Sequence, residues 1–111
     1  MKKEELKNLL YNFRGIQAQL KYLEHEYGVS TAFGEKEKTL RLLESALSIL
    51  DDRERFIINS HLINHETWSE TSKKLLCRFG AEYLRSDRTL KRMQNRALEK
   101  MLTFIGAITE S

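Results

Sequence analysis

Apolar residues recur by threes and fours almost from the start of the chain. Leu6, Leu9 or Leu10, Phe13, Ile16, Leu20, Leu23 and Tyr27 form a heptad-like stripe that predicts one helix from about Lys3 to Tyr27. Gly28 predicts its end, and the short connection through Gly34 is expected to turn Phe33 inward. Gly15, an interior cost of up to ~1 kcal/mol relative to alanine, is compatible with close helix packing. A second helix over roughly Glu35 to Leu50 carries Leu40, Leu43, Leu47 and Leu50 on one face, widened by Leu42, Ala46 and Ile49. Two such helices joined by a short loop predict an antiparallel hairpin over residues 1–50, although the same stripe could pair with a second copy of the chain.

Local start signals organise the rest. Asp51 can cap the free amides of a third helix while Glu54 returns the bond, and Phe56, Ile57, Leu62 and Ile63 carry its apolar side as far as Asn64. Thr67 and Glu70 repeat that pairing ahead of a helix with Trp68, Thr71, Leu75, Leu76 and Phe79 in register. Between Gly80 and Arg85 the pattern is ambiguous, since Tyr83 and Leu84 suit either that helix or a turn. Ser86 opens the last helix, with Leu90, Met93, Ala97, Met101 and Phe104 on one stripe and Leu98, Leu102 and Ile105 beside it. Gly106 is expected to end it, leaving residues 107–111 as a tail. The fold class expected is all-α, with a helix-turn-helix over 51–106 packed with the hairpin as one unit.

Composition supports helices and narrows the class. The 111 residues contain no proline and five glycines, with 41% apolar and 32% charged residues, enough for one core. No apolar run approaches the ~20 residues that span a bilayer. The mixed-charge start lacks the shape of a signal peptide, and a single cysteine cannot form an internal disulfide. A cytoplasmic location and no membrane association are therefore expected. Net charge is only +3, but it is uneven. Residues 67–102 hold nine bases and four acids, a net +5, which leaves −2 on the remainder. A basic half beside a mildly acidic one is the asymmetry of a chain with one face toward phosphate.

The helix that begins at Ser86 concentrates the relevant chemistry. A helix fits the major groove of DNA, arginine can pair bidentately with guanine, and asparagine or glutamine with adenine. Helical spacing places Arg88, Lys91, Arg92 and Asn95 on the exposed face as candidate base contacts, with Gln94 nearer the flank. Lys73, Lys74, Arg78, Arg85, Ser86 and Arg96 are candidate phosphate contacts. An exposed charged face is also what any soluble helix presents to water, so charge alone does not decide for DNA.

The order of features adds to the charge. Leu50 to Arg55 reads as a "Leu-x-x-Arg-Glu-Arg" opening, Trp68 as the aromatic that opens the next helix, and Ser86-Asp87-Arg88-Thr89-Leu90 as a "Ser-x-Arg-Thr-aliphatic" step. Arg96 to Met101 closes the series as "Arg-Ala-Leu-x-Lys-aliphatic". Over about half the chain, from Leu50 to Gly106, this resembles region four of sigma-70-type factors, and most nearly the sigma-like phage regulators of the ArpU family of late-gene activators. The Trp68–Ser86 segment is several residues longer than that family's compact pair of helices, and Thr71-Ser72 stands where an aliphatic-alanine pair is usual. The resemblance implies a regulator encoded by a phage or mobile element that acts on a promoter in double-stranded DNA, with RNA polymerase or another regulatory protein as a further partner and a homodimer as a possible state. The rival expectation is a helical interaction module that binds a regulatory or host protein through its N-terminal stripe.

Other chemistry is weaker. His61 and His65 are spaced i, i+4 but lack a second ligand pair, so no metal is expected. Cys77, beside Leu75, Leu76 and Phe79, is expected to be a small core side chain, Trp68 a core residue and His25 a surface one. With no phosphate loop, serine elbow or paired carboxylates, neither an enzyme nor a cofactor is expected.

Overall fold

In a computed structural model, residues 1–27, 34–80 and 86–109 are described. They form helices α1 (Lys3–Tyr11), α2 (Phe13–Tyr27), α3 (Gly34–Ser48), α4 (Asp52–Ile57), a π-helical continuation of α4 (Ile58–Ile63), α5 (Trp68–Phe79) and α6 (Asp87–Thr109), with no strand among the described residues. The class is all-α. Expectations at Gly28, Phe33, Tyr83, Leu84 and Arg85 lie outside the described residues.

Both predicted capping boxes are present. Asp51 accepts the Glu54 amide at 2.8 Å while the Glu54 carboxylate accepts the Asp51 amide at 3.1 Å. Thr67 and Glu70 do the same at 3.1 and 3.2 Å. Each satisfies two amides that a helix start leaves open.

The first predicted helix is two. α1 stops at Tyr11, and the Asn12 side chain turns back to donate to the Asn8 carbonyl at 2.8 Å. Asparagine competes in this way for its own backbone, which breaks a helix without disturbing the apolar stripe. α1 and α2 therefore have different neighbours: α1 packs on the π-helical segment and α6, whereas α2 packs mainly on α3. Gly15 makes no close approach, since a side chain there would meet nothing within 4 Å. Gly106 does not end α6 either, which runs on to Thr109. One interior glycine costs a helix about 1 kcal/mol, too little to stop one anchored by Met101 and Ile105.

Two apolar clusters hold the fold. The larger joins Leu6, Leu10 and Phe13 to Leu43, Leu47 and Leu50, to Ile58, Leu62 and Ile63, and to Ala97, Leu98, Met101 and Ile105. The smaller is Ile57, Leu75 and Leu90, with Phe56, Trp68, Phe79 and Met93 around it, and attaches α5 to the start of α6. A fully buried leucine stabilises by about 1.5–3 kcal/mol relative to its exposed state, so the larger cluster dominates and α5 is held by less.

The π-helical segment lies between the clusters. Ile57 faces the smaller one, Ile58, Leu62 and Ile63 face the larger, and buried Ser60 faces α5. There the Ser60 hydroxyl lies 2.8 Å from that of fully buried Thr71 and 3.2 Å from the Glu66 carboxylate, whose other oxygen pairs with Lys74. Thr71 thus joins α5 to the π-helical segment through hydroxyls.

Candidate nucleic-acid interface

α6 starts at Ser86, whose hydroxyl accepts the Thr89 amide at 3.3 Å and whose carbonyl accepts the Leu90 amide at 3.0 Å. Leu90, Ala97, Leu98 and Met101 then fix the buried side of the helix. At 100° per residue this leaves Arg88, Lys91, Arg92, Asn95 and Arg96 within one arc of about 140°, and all five are exposed. The four candidate base contacts therefore share one open face with Arg96 at its edge.

Gln94 does not belong to that face. It is buried, only 5% exposed, and its side-chain oxygen has no hydrogen-bond partner. Its position on the flank of the helix falls inside the protein, since α1, α4 and α5 all pack on α6.

Charge pairing divides α6 into two parts. Farther along the helix, Glu99 pairs with Lys3 at 3.3 Å and Lys100 with the buried Glu54 at 2.7 Å. Across the first three turns, Arg88, Lys91, Arg92 and Arg96 enter no ion pair among the described residues. Glu99 lies on the same arc as Arg88, Arg92 and Asn95 but about three turns on, where Lys3 of α1 reaches it.

The candidates on α5 are less uniform. Lys73 is exposed and without an ion pair among the described residues. Lys74 is engaged by Glu66. Arg78 lies with its guanidinium 5.7 Å from the Phe56 ring centre and 5.6 Å from that of Phe79, which positions it without neutralising it. The Glu70 carboxyl is held below its ordinary value, chiefly by the backbone and hydroxyl of Thr67 and then by Lys74 and Lys73.

Cys77, expected in the core, is exposed. It lies two residues, or about 200° of helical turn, from buried Leu75, so apolar sequence neighbours do not bring it inside. Trp68 is half-buried, stacked on His61 with ring centres 3.5 Å apart. His61 Nδ1 lies 2.9 Å from the Glu66 carbonyl, so that nitrogen carries the hydrogen and Nε2 is left unprotonated in the neutral ring. The imidazole is held below its ordinary value of 6.5, first by burial, which outweighs the Glu66 carbonyl, and then by Lys7 and Lys91. His65 instead stacks on Tyr11, at 3.7 Å between ring centres, with Nε2 2.5 Å from the Tyr11 carbonyl. The two histidines thus face different partners, and no group of three or more potential metal ligands occurs among the described residues.

No protein-family model, curated protein or solved structure matches the chain. No helix among the described residues is long and apolar enough to cross a membrane.

Proposed function

We infer that the chain is a sequence-specific, DNA-binding transcription regulator, phage or mobile-element encoded, in which a helix-turn-helix of α4, α5 and α6 is carried by the N-terminal helices. The observation that carries this reading is the division of α6. Four cations and one asparagine stand on an open arc over its first three turns, where Asp87 is the one acid, and farther on Glu99 and Lys100 are engaged in ion pairs. A helix placed in the major groove needs such a basic face with an amide side chain on it. Arg88, Arg92 and Asn95 approach base edges, with Lys91 beside them. Lys73, Arg78, Arg85, Ser86 and Arg96 contact phosphates, and Lys74 does so at the cost of its pair with Glu66. A location in the cytoplasm, association with RNA polymerase and a homodimer belong to the same reading.

The test is fluorescence anisotropy with random-sequence duplex DNA across a salt series, with Arg88→Ala/Arg92→Ala alongside. Binding that weakens steeply with salt and is reduced in the variant is the expected result. No binding even at low salt would exclude this function. The alternative, a protein-binding module, is favoured by one observation: a shallow groove of about 500 Å³ in which Ile49, Thr103 and Phe104 lie beside Arg96, Glu99 and Lys100. Ile49 is 45% exposed there.

A further inference from the structure

The N-terminal hairpin keeps one side open. Between α2 and α3 runs a groove of about 530 Å³, with no residue of α5 or α6 in its walls. Arg14, Gln17, Ala18 and Lys21 stand on its α2 wall, and Glu37, Leu40 and Glu44 on its α3 wall. Each set recurs by threes and fours and is therefore one stripe of a helix, on the flank beside buried Leu20 and Leu43. Two neighbouring helices that present such stripes side by side form the seat for a further helix, as in a helical bundle.

The charges of the groove are sorted by wall. Arg14 and Lys21 are seven residues apart on α2, and Glu37 and Glu44 are seven apart on α3. Lys21 and Glu44 are exposed and enter no ion pair among the described residues. Arg14 donates through Nε to the Asn64 side chain at 2.7 Å, which holds its guanidinium at the groove. Glu37 is paired with Arg41 of its own helix at 2.6 Å, an exposed contact weak enough to be exchanged. With Arg41 and Glu24 included, the α2 wall stays net basic and the α3 wall net acidic. Exposed Ala18 and half-buried Leu40 supply apolar contact between the charged edges.

We propose that this groove is the interface of a homodimer, in which the α2–α3 hairpins of two copies pack about a two-fold axis as a four-helix bundle. α2 of each copy lies along α3 of the other. The shared spacing of seven then brings Arg14 and Lys21 of one copy against Glu37 and Glu44 of the other together, and the axis forms the same pairs a second time. A second copy is the occupant the charges specify, because one chain carries both halves of the complement. A uniformly acidic partner would meet Glu37 and Glu44, and a uniformly basic one Arg14 and Lys21. The dimer gives the proposed regulator its subunit contact and leaves the open arc of α6 uncovered. Its one consequence that rests on the DNA-binding reading is an operator with two inverted half-sites.

The experiment is sedimentation equilibrium of the full chain without DNA, so it can fail while the DNA-binding reading stands. Wild type is compared with Arg14→Glu/Lys21→Glu, with Glu37→Lys/Glu44→Lys, and with an equimolar mixture of the two variants, each checked by circular dichroism for native helix content. Wild type is expected to be a dimer at micromolar concentration. Each variant places like charges across the axis and is expected to dissociate on the order of a hundredfold more readily. In the mixture every facing pair is again of opposite sign, so the dimer is expected to return as a heterodimer, which a misfolded variant could not form. A monomeric wild type, variants that remain dimers, or a mixture that remains monomeric would each overturn the interface.

Discussion

Gln94 offers a sharp test of how the interface is separated from the core. It is one of the side chains suited to reading adenine, and it lies between Arg92 and Asn95 in sequence, yet it is 95% buried and its oxygen has no partner. An unsatisfied buried acceptor costs about 1–3 kcal/mol, and replacing it by an apolar group of the same shape removes that cost. Gln94→Met keeps an unbranched side chain of similar length, so it is expected to stabilise the protein by about 1–2 kcal/mol. A change of 1 kcal/mol moves the melting temperature of a domain of this size by roughly 4–8 °C. Urea denaturation followed by circular dichroism would measure the change directly. Leu98→Ala, which opens a cavity one turn further on, should lose about 2–5 kcal/mol in the same assay and calibrates it. DNA affinity of Gln94→Met should equal that of wild type. A variant that is less stable than wild type, or that binds DNA more weakly, would refute the placement of Gln94 as a core residue with an unmet hydrogen bond.

Three more outcomes follow from the packing. Thr71→Val removes one of the two partners of the buried Ser60 hydroxyl, which keeps its bond to Glu66, and should cost about 0.5–1.5 kcal/mol, with a coupling energy to Ser60→Ala; additive losses in a double-mutant cycle would deny the pair. Cys77 should react with one equivalent of a thiol reagent in the native state, and a need for denaturant would contradict its exposure. Because burial lowers the His61 pKa, the unfolded chain binds the proton first. The stability carried by the neutral ring is complete above about pH 6.5 and is lost as pH falls through the depressed folded value. The urea midpoint of wild type should therefore drop further between pH 7.5 and 5.5 than that of His61→Gln, and equal drops would remove His61 as the cause.

What could be read in the sequence was the chemistry that acts over three or four residues. The Asp51–Glu54 and Thr67–Glu70 caps are such cases, as is the exposed arc of Arg88, Lys91, Arg92 and Asn95, because each follows from helical spacing alone. What could not be read depended on partners distant along the chain. The apolar stripe passes through Asn12 unchanged, so the division of the first helix left no mark in its periodicity. The spacing of Ile57, Ile58, Leu62 and Ile63 suits an α-helix as well as the wider turn observed. Cys77 among apolar neighbours looked like a core residue, and only the angle from Leu75 separates it. Lys3 appeared as one lysine in a mixed-charge N-terminus, since its pairing with Glu99 depends on how α1 packs against α6.

The widened turn at Ile58–Ile63 also bears on how this chain can change over evolutionary time. Length changes are ordinarily sought in loops, where a gained or lost residue disturbs little. A π-helical turn accommodates an additional residue inside a helix, with the ends of that helix left in place. Loss of one residue here would narrow the turn to α-helical width with the helix ends still in place, so that only side chains within the turn, Ser60 against Thr71 among them, would be re-aimed. This segment is therefore a place in the core where a one-residue change in length can be taken up. Homologues of different length are expected to differ here as well as in the loops.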